Sequence, residues 1–231
     1  MIKFLPPILM VALMMAGPLS AFSQTADVVV PGEIADKAKS FVAALNLTDA
    51  SKKSAVENII AYHMVIIRDW HNQHPPSTVP AGINPVTGNK LSDLDRQIIA
   101  DSAMPATVHQ DLMNGLNRSL SPQQVETILD QYTVGKLAFT MAGYKAIVPD
   151  LTADEEAKIS AFLKLAREQA ADYKNMKEIS AIFEIYKTKS EQMLNNNGRS
   201  WRALYSAYTK KVKEEKAKKA GEGNTPTQKN D

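Results

Sequence analysis

Four histidines and a scatter of carboxylates carry the chemistry open to this chain. His71-x-x-His74 is its one metal-like spacing, because a single helical turn can aim two imidazoles at one ion. Pro75-Pro76 ends the helix there and blurs that geometry. A third ligand would have to come from Asp69, His109 or a more distant acid, and histidines at a helix C-terminus are already favoured by the dipole. The spacing therefore assigns no metal site and no cofactor. His63 sits inside an apolar stripe with Val56, Ile59, Ile60, Ile67 and Trp70. It reads as a satisfied core histidine ahead of a buried general base. His109 has no partner recognisable in the sequence. Asp154-Glu155-Glu156 offers paired carboxylates of the kind glycoside hydrolysis uses, yet acids in a first helical turn are also what the dipole and cap favour. Glu168, beside Arg167, reads as surface charge. Trp201, Tyr205 and Tyr208 form an aromatic row that suits either stacking on sugar faces or docking of a terminal helix, and docking is the simpler reading. The candidate catalytic residues are Asp69, His71 and Glu155. The candidate binding residues are His63, Trp70, His74, Tyr144 and Trp201.

Several chemistries are excluded. The chain has no cysteine, so disulfides, thiolate metal sites and cysteine nucleophiles are ruled out. It contains no Gly-rich phosphate loop, no G-x-S-x-G turn, no H-E-x-x-H helix and no EF-hand loop.

The elements that must position these residues are helical. Apolar side chains recur every three or four positions in seven stretches. These are Ile34–Leu45, Val56–Trp70, Leu94–Leu116, Val125–Tyr132, Ile159–Ala170, Ile179–Tyr186 and Trp201–Val212. The spacing predicts an all-α protein, an antiparallel bundle of helical hairpins with about seven helices and no significant sheet. Pro105 should kink or divide the third stretch. Residues 134–148 are ambiguous, because Gly135 and Gly143 interrupt the pattern. Leu followed by Ser or Thr marks helix starts at Leu47-Thr48, Leu91-Ser92, Leu120-Ser121 and Leu151-Thr152. At Ser121 and Thr152 a Gln or Glu stands three residues on, the capping-box spacing. Residues 73–90 hold four prolines and two glycines and form the longest irregular segment, read as a disordered stretch or an insertion.

Residues 1–23 have the form of a secretory leader: Lys3, a short apolar run from Ile8 to Ala16, and the small-x-small triplet Ala21-Phe22-Ser23. The run is too short to span a bilayer, and no cysteine follows for lipid attachment. The expected product is soluble, periplasmic or secreted, without stable membrane insertion. The net charge is +2. Residues 210–231 alone carry seven lysines against four acids, so the body, residues 24–209, is close to neutral. That distribution offers no phosphate-binding footprint, and no nucleic-acid partner is expected. The basic segment reads as a fraying helix end that runs into a disordered tail.

Leu45-Asn46-Leu47-Thr48-Asp49, Gly143-Tyr144, the block from Val148 to Glu156, Ala166-Arg167-Glu168-Gln169-Ala170, Ile182 to Lys187 and Trp201 occur in an order that resembles an exported bacterial family, the domain of unknown function 3826. The resemblance runs from about Ile34 to Tyr208. It implies a helical exported protein in the company of polysaccharide-utilisation systems, by association only. The Leu-Ser/Thr-x-x-Gln/Glu helix entries are more loosely similar to small periplasmic chaperones of the Spy and CpxP type, a pattern that capping alone also produces. The leading expectation is a non-catalytic binding or accessory protein of the cell envelope, its partner a glycan or an envelope protein. The alternatives are a carbohydrate-active enzyme using Asp69, His71 and Glu155, and a holdase-like chaperone with an exposed apolar face.

Overall fold

The computed structural model describes residues 29–85 and 87–222. The leader at 1–23 and the end of the basic tail, 223–231, lie outside the described residues. The described residues form nine α-helices and no strand. These are α1 (Gly32–Ala43), α2 (Ala50–Gln73), α3 (Asp93–Ser102), α4 (Ala106–Ser119), α5 (Pro122–Tyr132), α6 (Lys136–Ile147), α7 (Ala153–Ala170), α8 (Met176–Asn196) and α9 (Trp201–Glu222).

The count of nine corrects the expected seven at two places. Pro105 lacks a backbone N–H and separates α3 from α4 outright. The ambiguous stretch is the helix α6, launched by Val134 and Gly135 with φ of 53° and 65°. Such left-handed backbone stops α5 and redirects the chain, and glycine adopts it without steric penalty. The helix α9 continues to Glu222, over the first part of the segment read as a tail.

Three of the four marked helix starts are capping boxes. Ser92 with Asp95, Ser121 with Gln124 and Thr152 with Glu155 each exchange side-chain and backbone hydrogen bonds. Each satisfies two donors that the helix geometry would leave orphaned, worth about 1 kcal/mol per cap. At the fourth start the cap is Asp49, one residue beyond Thr48, with Oδ1 accepting from Lys52 N–H at 3.0 Å.

Two apolar cores result. The first joins α1, α2, α4 and α5 around Phe41, Ile60, Leu116 and Ile128. The second joins α6, α7 and α8 around Tyr144, Ile159, Leu163 and Phe183, with Trp201 and Leu204 of α9 packed on its edge. Each fully buried Leu, Ile or Phe contributes about 1.5–3 kcal/mol. Gly115 lets α4 press closely on α2: a Cβ there would stand 3.0 Å from Ile59 Cγ2. The five residues between α7 and α8 run along the seam, with Ala171 in the first core and Tyr173 in the second.

The long segment after α2 is a tethered loop. It contains a 3-10 turn at Pro76–Thr78 and an antiparallel bridge between Ile83 and Lys90. The Arg96 guanidinium donates to the Val79 carbonyl at 2.6 and 2.9 Å and ties the loop to α3.

Candidate functional site

Asp172 lies in that seam and reaches both ways along it. Its Oδ1 is 3.1 Å from Nε2 of His63 on α2. Its Oδ2 is 2.8 Å from Nδ1 of His109 on α4. The second approach is short but angled, an ionic contact and not a linear hydrogen bond. Behind His63, Nδ1 is 3.0 Å from the Tyr132 hydroxyl of α5. Asp172 as a carboxylate can only accept, so His63 donates Nε2–H to it, and in the neutral imidazole Nδ1 accepts from Tyr132. His63 is 2% exposed, and Tyr132 holds it edge-on with ring centroids 5.5 Å apart.

The chain Tyr132–His63–Asp172–His109 has one open end. His109 and Asp172 line two adjoining recesses of about 140 and 250 Å3. Asp101, Ser102 and Tyr173 stand on one side; Glu168, Gln169 and Tyr186 stand on the other. The Nε2 atom of His109 is 3.5 Å from Glu168 Oε1. Contact with Asp172 raises His109 above its ordinary value; burial opposes this and Glu168 assists it. Burial alone would raise Asp172, but its contacts with the two imidazoles outweigh burial and hold it below the usual carboxylate range. Burial drives Tyr132 well above the usual phenol value, and the Asp172 charge adds to this. These are the properties of a histidine–carboxylate pair able to exchange a proton at one exposed nitrogen.

A second cluster lies beside the first, with Tyr173 close to both. His71 Nδ1 is 3.2 Å from Asp101 Oδ2 and 3.5 Å from Glu178 Oε1. One donor atom from each of the three residues lies within 4.8 Å of the other two. Gln97 donates its amide to Asp101 Oδ1 at 2.9 Å and to the His74 carbonyl at 3.1 Å. Glu178 accepts from Asn175 Nδ2 at 2.6 Å and from the Lys174 backbone N–H at 3.1 Å. Burial raises Glu178 above its ordinary value; His71 opposes this and Asp101 adds to it. Burial, with the nearby carboxylates, pushes Tyr173 up to about 12.

Of the candidate catalytic and binding residues named from sequence, His63 and His71 belong to these clusters, and His109, weighed there as a third metal ligand, joins the first cluster and not His71. Asp69 is paired with its neighbour Arg68 at 2.7 Å. Glu155 is the capping-box acid of α7 and is clasped by Arg199, Nε to Oε1 at 2.9 Å and Nη2 to Oε2 at 2.8 Å. The Arg199 hydrogen bonds hold its carboxyl at about 2. Asp69, His71 and Glu155 are thus engaged by three different sets of residues. His74 stacks on Trp70 at 3.8 Å and directs Nδ1 to the Trp70 carbonyl. Trp70 donates Nε1–H to the Ala100 carbonyl at 3.2 Å. Tyr144 donates to the Lys187 carbonyl at 3.1 Å, and with Trp201 it lines a groove of about 380 Å3.

The residues that sequence reasoning missed carry weak local signals. Glu178 stands three residues after Asn175, so it reads as a capping acid, and it does serve in that cap. Asp101 offered one clue: it is an acid in the last turn of α3, where the helix dipole disfavours negative charge. Asp172 follows α7 with no pattern of its own. Among the described residues, no helix is long and apolar enough to cross a membrane.

These features define a class: an all-helical protein whose two cores meet at a seam of histidines and carboxylates. The chain belongs to the family described as a protein of unknown function, DUF3826, whose model matches residues 32–214. The match spans both cores and both clusters. No curated protein sequence matches the chain.

Proposed function

We propose that the protein is an exported acid–base enzyme acting on a hydroxyl-rich, saccharide-type substrate, with His109 as the proton-transferring group. The observation that carries this reading is the carboxylate of Asp172 held between two imidazoles, one sealed in the core and one open to a recess. A carboxylate behind Nδ1 leaves Nε2 as the working atom and favours the imidazolium that forms when Nε2 is protonated. The raised His109 value supports a group whose imidazolium persists to higher pH than that of an ordinary histidine and can donate to a leaving oxygen. Gln169, Ser102, Glu168 and Tyr186 supply hydrogen-bonding groups for hydroxyls around that atom. His63, engaged at both nitrogens, acts as a positioning residue. The leader and the family resemblance support a substrate found outside the cytoplasm. The test is chromatography of products after incubation with a panel of neutral and uronate-containing oligosaccharides and polysaccharides. Product release from one class is expected. His109→Gln should lower kcat by about 10²–10⁴-fold without loss of fold. No product across the panel, or a fully active His109→Gln, would overturn the reading.

A non-catalytic glycan-binding role is favoured by one separate observation. Phe139 is 78% exposed and Tyr205 50% exposed, and both flank Trp201 and Tyr144 in the groove between α6, α8 and α9. Trp201 and Tyr205 are stacked, with centroids 6.0 Å apart. Exposed rings beside Lys136, Glu184, Lys187 and Glu191 offer stacking faces and hydroxyl partners together. Calorimetry with the same panel would show binding without turnover, weakened by Phe139→Ala and untouched by His109→Gln.

A further inference from the structure

The cluster of His71, Asp101 and Glu178 has a charge problem that its protein partners do not solve. The Asp101 and Glu178 side chains are 4% and 3% exposed. Among the described residues neither carboxylate meets a Lys or Arg nitrogen. Lys177, adjacent to Glu178 in sequence, is exposed and forms no ion pair with it, and Lys174 directs its ammonium to Asn72 Oδ1 at 2.7 Å. Gln97, Asn175 and the Lys174 backbone supply neutral donors only. With both carboxyls ionised, two buried negative charges face at most one positive charge, that of His71. Burying unmatched charge is unfavourable, and proteins that do so pair it or use it to coordinate a metal.

The donor geometry suits a metal. Ligand atoms around a tetrahedral ion at about 2.0–2.2 Å stand roughly 3.4 Å from one another. The His71 nitrogen stands 3.2 and 3.5 Å from its two carboxylate oxygens. The longer of these serves poorly as a hydrogen bond, but either can be an edge of a coordination polyhedron. The three residues come from three helices, α2, α3 and α8, which gives the set the rigidity of the packed bundle. The outer partners are in place too. Gln97 orients Asp101, and Asn175 orients Glu178, as groups behind metal ligands do.

We infer that His71 Nδ1, Asp101 and Glu178 form a binding site for one divalent first-row transition cation, of which Zn2+ is the representative probe. One imidazole and two carboxylates match the ligand preferences of such ions. Three protein ligands leave a fourth position open for water or substrate. Asp101 also lines the recess that holds His109, so a cation there would sit beside the cleft. The site does not depend on His109 being catalytic.

The experiment is calorimetric titration of Zn2+ into chelator-stripped protein, with a thermal melt at each stage. One equivalent should bind with Kd of about 1 μM or tighter, and Tm should rise on binding. His71→Ala, Asp101→Asn and Glu178→Gln should each weaken binding by at least about tenfold and abolish the rise in Tm. His74→Ala and His109→Ala should leave affinity unchanged. If His71→Ala does not fold, the two isosteric variants carry the test, because each removes one of two facing negative charges and keeps side-chain volume. No binding by the stripped protein, unchanged affinity in Asp101→Asn and Glu178→Gln, or equal loss in His109→Ala would each overturn the inference.

Discussion

The two clusters beside Tyr173 use the same residue types in inverse proportion. Around Asp172 two imidazoles share one carboxylate. Around His71 two carboxylates share one imidazole. Both acids at issue are largely removed from water, yet they move in opposite directions. Burial works against the charge of Asp172 and loses to two imidazoles, so its carboxyl stays ionised to lower pH than usual. Burial works against the charge of Glu178 and wins, because His71 is divided between two acids that also repel each other. The lesson is that local charge stoichiometry decides whether a buried acid is settled or poised. Glu155 is a third case. Its match is a guanidinium with two nitrogens on its two oxygens, a strong bidentate pair that leaves nothing over for chemistry.

The comparison can be broken most directly at Asp172. Asp172→Ala leaves two histidines facing each other across the seam and should destabilise the protein by about 3–5 kcal/mol, read from urea unfolding. A loss under about 1 kcal/mol would mean that the Asp172 network does not hold the two cores together. Glu155→Gln should be milder, about 1–2 kcal/mol, with Zn2+ affinity and any turnover unchanged. The Glu155 contribution is present above its ordinary value of 4.5 and is lost as pH falls toward about 2. Thermal melts from pH 5 to 2 check this, and Glu155→Gln should flatten that limb.

The next effect is smaller and depends on sign. His109 is raised, so its stabilising contribution is full below its ordinary value of 6.5 and disappears as pH rises through the folded-state value above it. Asp172 is lowered, so its contribution is present above 3.8 and is lost as pH falls through its folded-state value. The groups facing His109 are Asp172 and Glu168, with Asp101 lining the same recess. His109→Gln should therefore remove the alkaline decline in Tm and spare the Glu155 limb; an unchanged alkaline decline would show that His109 is not the titrating group. The smallest effect belongs to His74→Ala. It removes one stacked ring from Trp70 and should lower stability by less than about 1.5 kcal/mol. A larger loss would mean that the His74 ring, and not only its carbonyl, supports the network that Gln97 links to Asp101.

Local signals foretold the helices better than the site. Ser92, Ser121 and Thr152 announce their helices because a cap needs only residues three apart. Pro105 was legible as an interruption, and its full break into two helices follows from the same missing N–H. The helix α6 was obscured because its two glycines mask the apolar period, and its start depends on left-handed backbone at Val134 and Gly135. His109 was visible as a histidine without a partner; the partner lies 63 positions away, in a five-residue turn with no pattern of its own.

What the linear chain settled by itself is short-ranged. Side chains repeating every three or four positions, with hydroxyl and carboxylate caps, are enough to specify coils packed on coils, because capping and amphipathicity act within one or two turns. Which polar groups meet was decided only by tertiary packing. His63 and Asp172 are 109 positions apart, and His71 and Glu178 are 107 apart. Periodicity says which side of a helix is buried, but not which other helix covers it. The balance of charge at the seam was therefore settled only when the two cores closed on one another.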